Sequence, residues 1–211
     1  MNVYDELLGH IIDNGYTATN KKGNTICLTG VTLNMDGTEM AAIINGRKGL
    51  PRTKLKRELT LFMMGETRVR KYRDADIHWW DGYNTPDLVN TYPDYFRYLP
   101  ELLDTVNQGT SSKNHVLHIG NNAPSTQQPC ISLIQFQVVN KKLRVSVFQR
   151  SCDASIGLPA DIYQLSLIVD MIKFPLEHIS WHFGNVHIYE NNLDETRKYL
   201  ANEPFKYNLN I

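Results

Sequence analysis

The amino-acid sequence predicts an α/β (α+β) protein, a sheet flanked by helices. Two observations carry this expectation. Apolar residues recur at helical spacing in some stretches and alternate within β-branched runs in others, and the two kinds of stretch interleave along the chain. Residues 3–12 (VYDELLGHII) set Val3, Leu7, Ile11 and Ile12 near helical spacing, and 13–24 (DNGYTATNKKGN) supplies the breakers and turn formers of a loop. Residues 24–35 (NTICLTGVTLNM) and 39–46 (EMAAIING) read as strands. After Pro51 a helix follows, with Leu55, Leu59, Phe62 and Met63 on one face and Gly65 as its stop. From 75 to 100 the chain is aromatic and irregular, broken by Pro86, Pro93 and Pro100, which marks a packed loop or a binding surface. A helix resumes at 101–108 (ELLDTVNQ). Strands follow at 114–121, 131–140 and 142–151, the last two joined by a turn at Asn140 and Lys141. Residues 158–172 (LPADIYQLSLIVDMI) form the clearest apolar helix, 178–189 (HISWHFGNVHIY) a strand, and 191–203 a terminal helix capped by Asn or Asp.

At 211 residues the chain fits one domain, 1–211, large enough to bury a core without staples. Lys plus Arg and Asp plus Glu both count 22, so no net charge draws it to nucleic acid or membrane, and any anion must be bound locally. Cys27, Cys130 and Cys152 are an odd set without a CxxC pair, which argues against a disulfide framework or a cysteine zinc site. No metal is expected, and a reducing cytoplasm is the natural compartment. No apolar run approaches the roughly 20 residues needed to span a bilayer.

Cys130 stands between Pro129 and an alternating apolar run in QQPCISLIQF (127–136). A free cysteine among Ile, Leu and Phe is ordinarily a small hydrophobe. Its neighbourhood says more. If 131–140 and 142–151 pair as a hairpin, Arg150 arrives beside Cys130, and a guanidinium near a thiol favours the reactive thiolate.

Four motifs stand in order from Pro129 to Asn192: Pro129-Cys130, Gln149-Arg150-Ser151-Cys152-Asp153, Gly157-Leu158-Pro159-Ala160-Asp161 and Gly184-Asn185-Val186-His187-Ile188-Tyr189. Together they resemble the thymidylate synthase superfamily, which includes the pyrimidine hydroxymethylases. NKKGNTICLTG resembles its phosphate-loop strand, RELTLFMMGET its glutamate-bearing helix, and IHWWDGY its tryptophan segment. The resemblance implies a mixed sheet with one face packed in a homodimer. It implies a Cys130 thiolate that adds to C6 of a pyrimidine nucleotide, with 5,10-methylenetetrahydrofolate as co-substrate. Arg150, Ser151, Gln149, Lys21 and Lys113 would hold the nucleotide and its phosphate, and His187 and Tyr189 the 3′-hydroxyl. Trp80, Asp153, Glu58 and Gly157 would meet the folate, Glu58 also organising proton transfers, and Tyr92 is the candidate for removing the C5 proton.

Asp161 departs from the asparagine of synthases acting on dUMP. An ionised carboxylate only accepts hydrogen bonds, which suits the N4 amine of cytosine, and a proton shared with N3 would complete the pair. Aspartate here resembles the phage deoxycytidylate hydroxymethylases, whose product modifies viral DNA, so the expected activity is hydroxymethylation of dCMP. An Asp after Pro159 is also an ordinary helix cap. Three further departures matter. Ile131 replaces a frequent histidine, Lys21 or Lys22 replaces the phosphate-loop arginine with Lys21 preferred, and Lys113-Asn114 replaces an arginine pair that crosses to the partner subunit. Two other outcomes stay compatible with these residues: C5 methylation of dCMP or dUMP, and a catalytically silent nucleotide-binding homologue.

Overall fold

A computed structural model of the chain describes residues 2–83, 85–121 and 128–207. Its elements in order are α1 (Val3–Asn14), β1 (Tyr16–Asn20), β2 (Gly23–Met35), α2 (Gly37–Gly46), α3 (Arg52–Met63), α4 (Val69–Asp74), a 3-10 turn (Asp81–Tyr83), α5 (Tyr92–Phe96), α6 (Leu99–Val106), β3 (Val116–His118), β4 (Ile131–Val139), β5 (Lys142–Gln149), β6 (Cys152–Asp153), α7 (Gly157–Val169), β7 (Leu176–Tyr189) and α8 (Glu190–Leu200). The sheet is mixed, in the order β1-β2-β7-β5-β4-β3, with β6 beside β7. β7 runs parallel to β5 and β6, and the remaining pairs are antiparallel. The β4–β5 hairpin turns at Asn140 and Lys141, both at positive φ (52° and 61°), the backbone that a two-residue turn matched to strand twist demands.

Alternation decides the faces. Leu33 and Met35, Ile134, Phe136 and Val138, Leu143, Val145 and Val147, and Ile179, Trp181 and Phe183 all point into one core. α1, α2 and α8 pack against β2 and β7, α6 against β3 and β4, and α3 lies on α7. The other face carries Thr32, Asn34, Arg144, Ser146, Phe148, Ser180 and His182, partly or fully open in this chain alone.

Four local expectations need correction. Residues 39–46 are not a strand but belong to α2. Asp36 accepts from Thr38 N and Glu39 N while Glu39 returns to Asp36 N, and this capping box outweighs the β-branched pair Ile43 and Ile44. Tyr16–Asn20 is a strand within the expected loop, hidden because it is an edge strand with mostly exposed polar residues. Of 114–121 only Val116–His118 pairs with β4. α8 starts directly out of β7 with Tyr189 in the cap position and no side-chain cap, so neither Asn nor Asp performs that role. The irregular aromatic stretch does pack, with Phe62 at the centre of Tyr72, Trp80, Tyr92 and Phe96.

The capping box predicts that Asp36→Ala lowers unfolding free energy by about 1 kcal/mol. Urea denaturation checks this, and an unchanged midpoint would mean that tertiary packing alone holds α2.

Candidate active site

Cys130 stands just before β4. Arg150 N donates to Cys130 O at 2.8 Å, and Ile131 pairs with Gln149. The hairpin thus makes Cys130 and Arg150 neighbours, as expected. β7 can approach them because Gly184 has no side chain: a Cβ there would lie 2.9 Å from Arg150 O. Arg150 itself closes the turn, its Nε donating to Pro129 O at 3.0 Å and its Nη2 to Gln128 O. Tyr92 Oη accepts from both Cys130 N and Ile131 N, each at 3.1 Å.

The thiol differs from expectation in one respect. Cys130 is open on one side but otherwise enclosed, and burial raises its pKa; Arg150 and Lys22 pull it down and Asp161 pushes it up, with burial winning. Resting Cys130 is therefore a thiol whose proton must go elsewhere. The Tyr92 phenol is also pushed well up by burial, so it stays protonated. Its oxygen anchors the cysteine turn and has an O–H to give.

Asp161 lies in the first turns of α7, three residues before Gln164. Trp181 Nε1 donates to Gln149 Oε1 at 2.8 Å. An indole can only donate, so this bond fixes which end of the Gln149 amide faces which way. Gln149 Nε2 is left to donate to Asp161 Oδ2 at 2.9 Å. Burial raises the Asp161 pKa to about 7, with Gln149 opposing and the charges of Glu58 and Asp153 adding. Asp161 is thus no mere helix cap.

Glu58, buried on α3, is also pushed up to about 7 by burial, against three hydrogen bonds. Trp79 Nε1 and Trp80 Nε1 both reach Oε1 at 2.5 Å, and Gln164 Nε2 reaches Oε2 at 2.8 Å. Trp80 is buried among Phe62, Tyr72 and Tyr92, while Trp79 is more than one-third exposed. Sequence reasoning named Trp80 and Glu58 but missed Trp79 and Gln164.

Asp153 on β6 accepts from Ser155 N at 2.9 Å and Ile156 N at 3.3 Å, shaping the turn into α7, and burial lifts its pKa to about 6. Gly157 opens that helix against the Asp153 side chain. Behind the turn stands Arg47, which sequence reasoning also missed. Its guanidinium donates to Ser155 O and lies over the rings of Tyr4, Tyr199, Phe205 and Tyr207. No periodicity or motif flags it, because its partners come from both ends of the chain.

His187 follows on β7, with Nδ1 2.8 Å from Asn185 Oδ1 and its ring edge-on to Tyr189. Burial and the Lys22 charge lower its pKa to about 4, so it is neutral near pH 7. Lys22, in the β1–β2 turn, is felt at Cys130, Asp153 and His187 alike. The preference for Lys21 accordingly moves to Lys22. Ser151 is partly buried between Arg150 and β6. Lys113 is not brought to this group; it is exposed, with its carbonyl held by Gln135 Nε2. Among the described residues, no group of three or more His, Cys, Asp or Glu side chains is placed to hold a metal ion, and no helix is long and apolar enough to cross a membrane.

The cluster combines a nucleophilic thiol, cations beside it, and carboxyls that change charge near neutrality, a set fit for covalent addition followed by proton transfers. It also sets a pH signature. Glu58, Asp153 and Asp161 all have folded pKa values above the ordinary carboxyl range. The folded chain therefore keeps protons that the unfolded chain has lost, and this stabilisation, full below about pH 4, disappears as pH rises through about 6 to 7. Unfolding free energy by denaturant should fall between pH 5 and 8, each carboxyl contributing on the order of one to two pKa units' worth and the lowered pKa of His187 offsetting part of this below about pH 6.5, for a net loss of a few kcal/mol. Asp161→Asn should flatten that slope, and stability rising across the window would contradict the burial of these groups.

The thymidylate synthase family matches residues 2–211. Its chemistry is folate-dependent transfer of a one-carbon unit, from methylenetetrahydrofolate, to C5 of a pyrimidine nucleotide. The mixed sheet, the Cys130–Arg150 hairpin end and a match over almost the whole length agree: the chain belongs to the thymidylate synthase family.

Proposed function

We propose that the protein hydroxymethylates dCMP at C5. The observation that carries this reading is the Asp161 carboxyl, held from one side by Gln149 Nε2 on Oδ2 and raised to about pKa 7. Oδ2, already accepting an N–H, remains an acceptor, and the proton of the neutral acid belongs on Oδ1. A donor beside an acceptor complements cytosine, with Oδ1–H toward N3 and Oδ2 toward the N4 amine. Uracil presents the opposite order.

Bound methylenetetrahydrofolate would supply the one-carbon unit and leave as tetrahydrofolate. The residues present fit it: Asp153 is a partly open acceptor, Gly157 lies beside it, and the Trp79–Trp80 pair with Glu58 forms a wall. Cys130 Sγ, having given its proton to solvent on its open side, would add to C6, and the C5=C6 pair would become available at C5 to bond the one-carbon carbon. Asp161 stabilises that charge by protonating N3. The C5 proton would then pass to water at Tyr92 as the bond from the one-carbon carbon to the departing folate breaks, water oxygen would add to the exocyclic methylene carbon so formed with loss of a proton toward Glu58, and the returning electron pair, with the N3 proton going back to Asp161, would expel Sγ from C6. Arg150, Ser151, Lys22 and Gln149 would hold the nucleotide, and His187 and Tyr189 its 3′-hydroxyl. A homodimer would cover the open sheet face, and this would be the route for Lys113 to reach a partner's phosphate. Three free cysteines fit a reducing cytoplasm.

The test is a mass spectrum after incubation with methylenetetrahydrofolate and equimolar dCMP and dUMP. A CH2O gain on dCMP is expected; a CH2 gain with dihydrofolate, or product from dUMP alone, overturns the reading. Cys130→Ala should lower turnover by about a thousandfold or more. Asp161→Asn should move preference toward dUMP, measured as the ratio of kcat/KM values.

A further inference from the structure

Among the described residues, every hydrogen-bond partner of the Glu58 carboxyl is a donor. Each carboxylate oxygen offers two in-plane lone pairs. The indoles of Trp79 and Trp80 occupy both on Oε1, and Gln164 occupies one on Oε2. The second lone pair of Oε2 has no partner among the described residues. The Gln164 amide cannot be reversed, because Nε2 also donates to Leu55 O at 3.1 Å, and a carbonyl oxygen in its place would face two acceptors. Leu55 and Glu58 are one turn apart on α3, so a single side chain from α7 spans both. Asp161 and Gln164 are likewise one turn apart, so α7 serves both buried carboxyls from one face.

Resting on the enzymatic reading above, we propose that Gln164 is a positioning residue that makes Glu58 a carrier with one proton port: the open lone pair of Oε2, whose direction Gln164 sets. The consequence is directional. Oε1 cannot take a proton without losing an indole bond, so water or substrate exchanges a proton with Glu58 through Oε2 alone. Gln164 also favours the ionised form by donating to it, against the burial that raises the Glu58 pKa. The titratable groups that feel the Glu58 charge are Asp161 on α7 and Tyr72 on α4.

The chain's three tryptophans make this readable in the free protein. The indole N–H resonances of Trp79 and Trp80 report ionisation of the carboxylate they share, and that of Trp181, bonded to Gln149, reports that the fold is intact. The 15N-labelled full chain is titrated from pH 5 to 9 as wild type and as Gln164→Met, which keeps the length and removes the N–H. Both indoles should titrate together near neutrality in the wild type, with the midpoint about one pH unit higher in the variant. A midpoint that stays or falls, or indoles that do not titrate in the wild type, overturns the proposal. If Gln164→Met loses the Trp181 signal, Gln164→Leu replaces it under the same criterion. Turnover on dCMP and dUMP is measured separately, so a wild type that makes no product counts against the enzymatic reading and leaves the indole titration to judge Gln164.

Discussion

The parallel pairing of β5 with β7 is the constraint on which the rest of the site depends. It sets Val147 beside Trp181 and Gln149 beside Phe183, which brings the single N–H of the Trp181 indole to the Gln149 amide. From that one bond the amide direction follows, and from the amide direction the environment of Asp161. The same pairing ends at Gly184, where a missing Cβ lets the Arg150 backbone come close. Cys130, one strand further across, is carried to its place by the Arg150 N–H. A slip of one residue in this register would leave Gln149 and Trp181 on opposite faces of the sheet and dissolve the site.

Around this frame, burial competes with hydrogen bonding at the three buried carboxyls. Glu58 keeps three N–H donors, Asp153 two and Asp161 one, and in each case burial prevails and the pKa rises. The thiol of Cys130 and the phenol of Tyr92 are shifted the same way. A site held in that balance stores proton affinity where a reaction needs it, at the cost of some stability near neutral pH. His187 shows the opposite sign for the same reason, since burial disfavours its cationic form and leaves a neutral ring.

The supports of the site come from distant parts of the chain. Tyr4 of α1 donates to Ala154 O at 2.9 Å, Arg47 after α2 to Ser155 O, and Thr196 of α8 meets Ser155 Oγ at 3.1 Å. The turn that orients Asp153 is therefore held from three helices. Arg47 in turn lies against Phe205 and Tyr207, which ties the last described residues to that turn. A buried guanidinium among aromatic faces is well suited to this, because Arg keeps its charge and is more weakly hydrated than an ammonium.

Much of this was legible beforehand. The β4–β5 hairpin, the helix after Pro51 and the apolar α7 follow from spacing and turn chemistry, and Cys130, Arg150, Ser151, Asp153, Asp161, His187 and Tyr189 stand in recognisable motifs. α2 was hidden, since two adjacent isoleucines read as strand until the Asp36–Glu39 cap is seen, and β1 was hidden because an exposed edge carries little apolar signal. Lys22 in place of Lys21, Trp79 beside Trp80, and Gln164 and Arg47 altogether required the fold. The sequence by itself determined which reacting groups exist and how each lies within its own helix or strand, because periodic burial and turn dihedrals are local properties. Only the tertiary structure decided which of them are charged, which end of an amide faces which carboxyl, and which lysine is felt at the thiol, because desolvation and hydrogen-bond partners come from residues far apart in the chain.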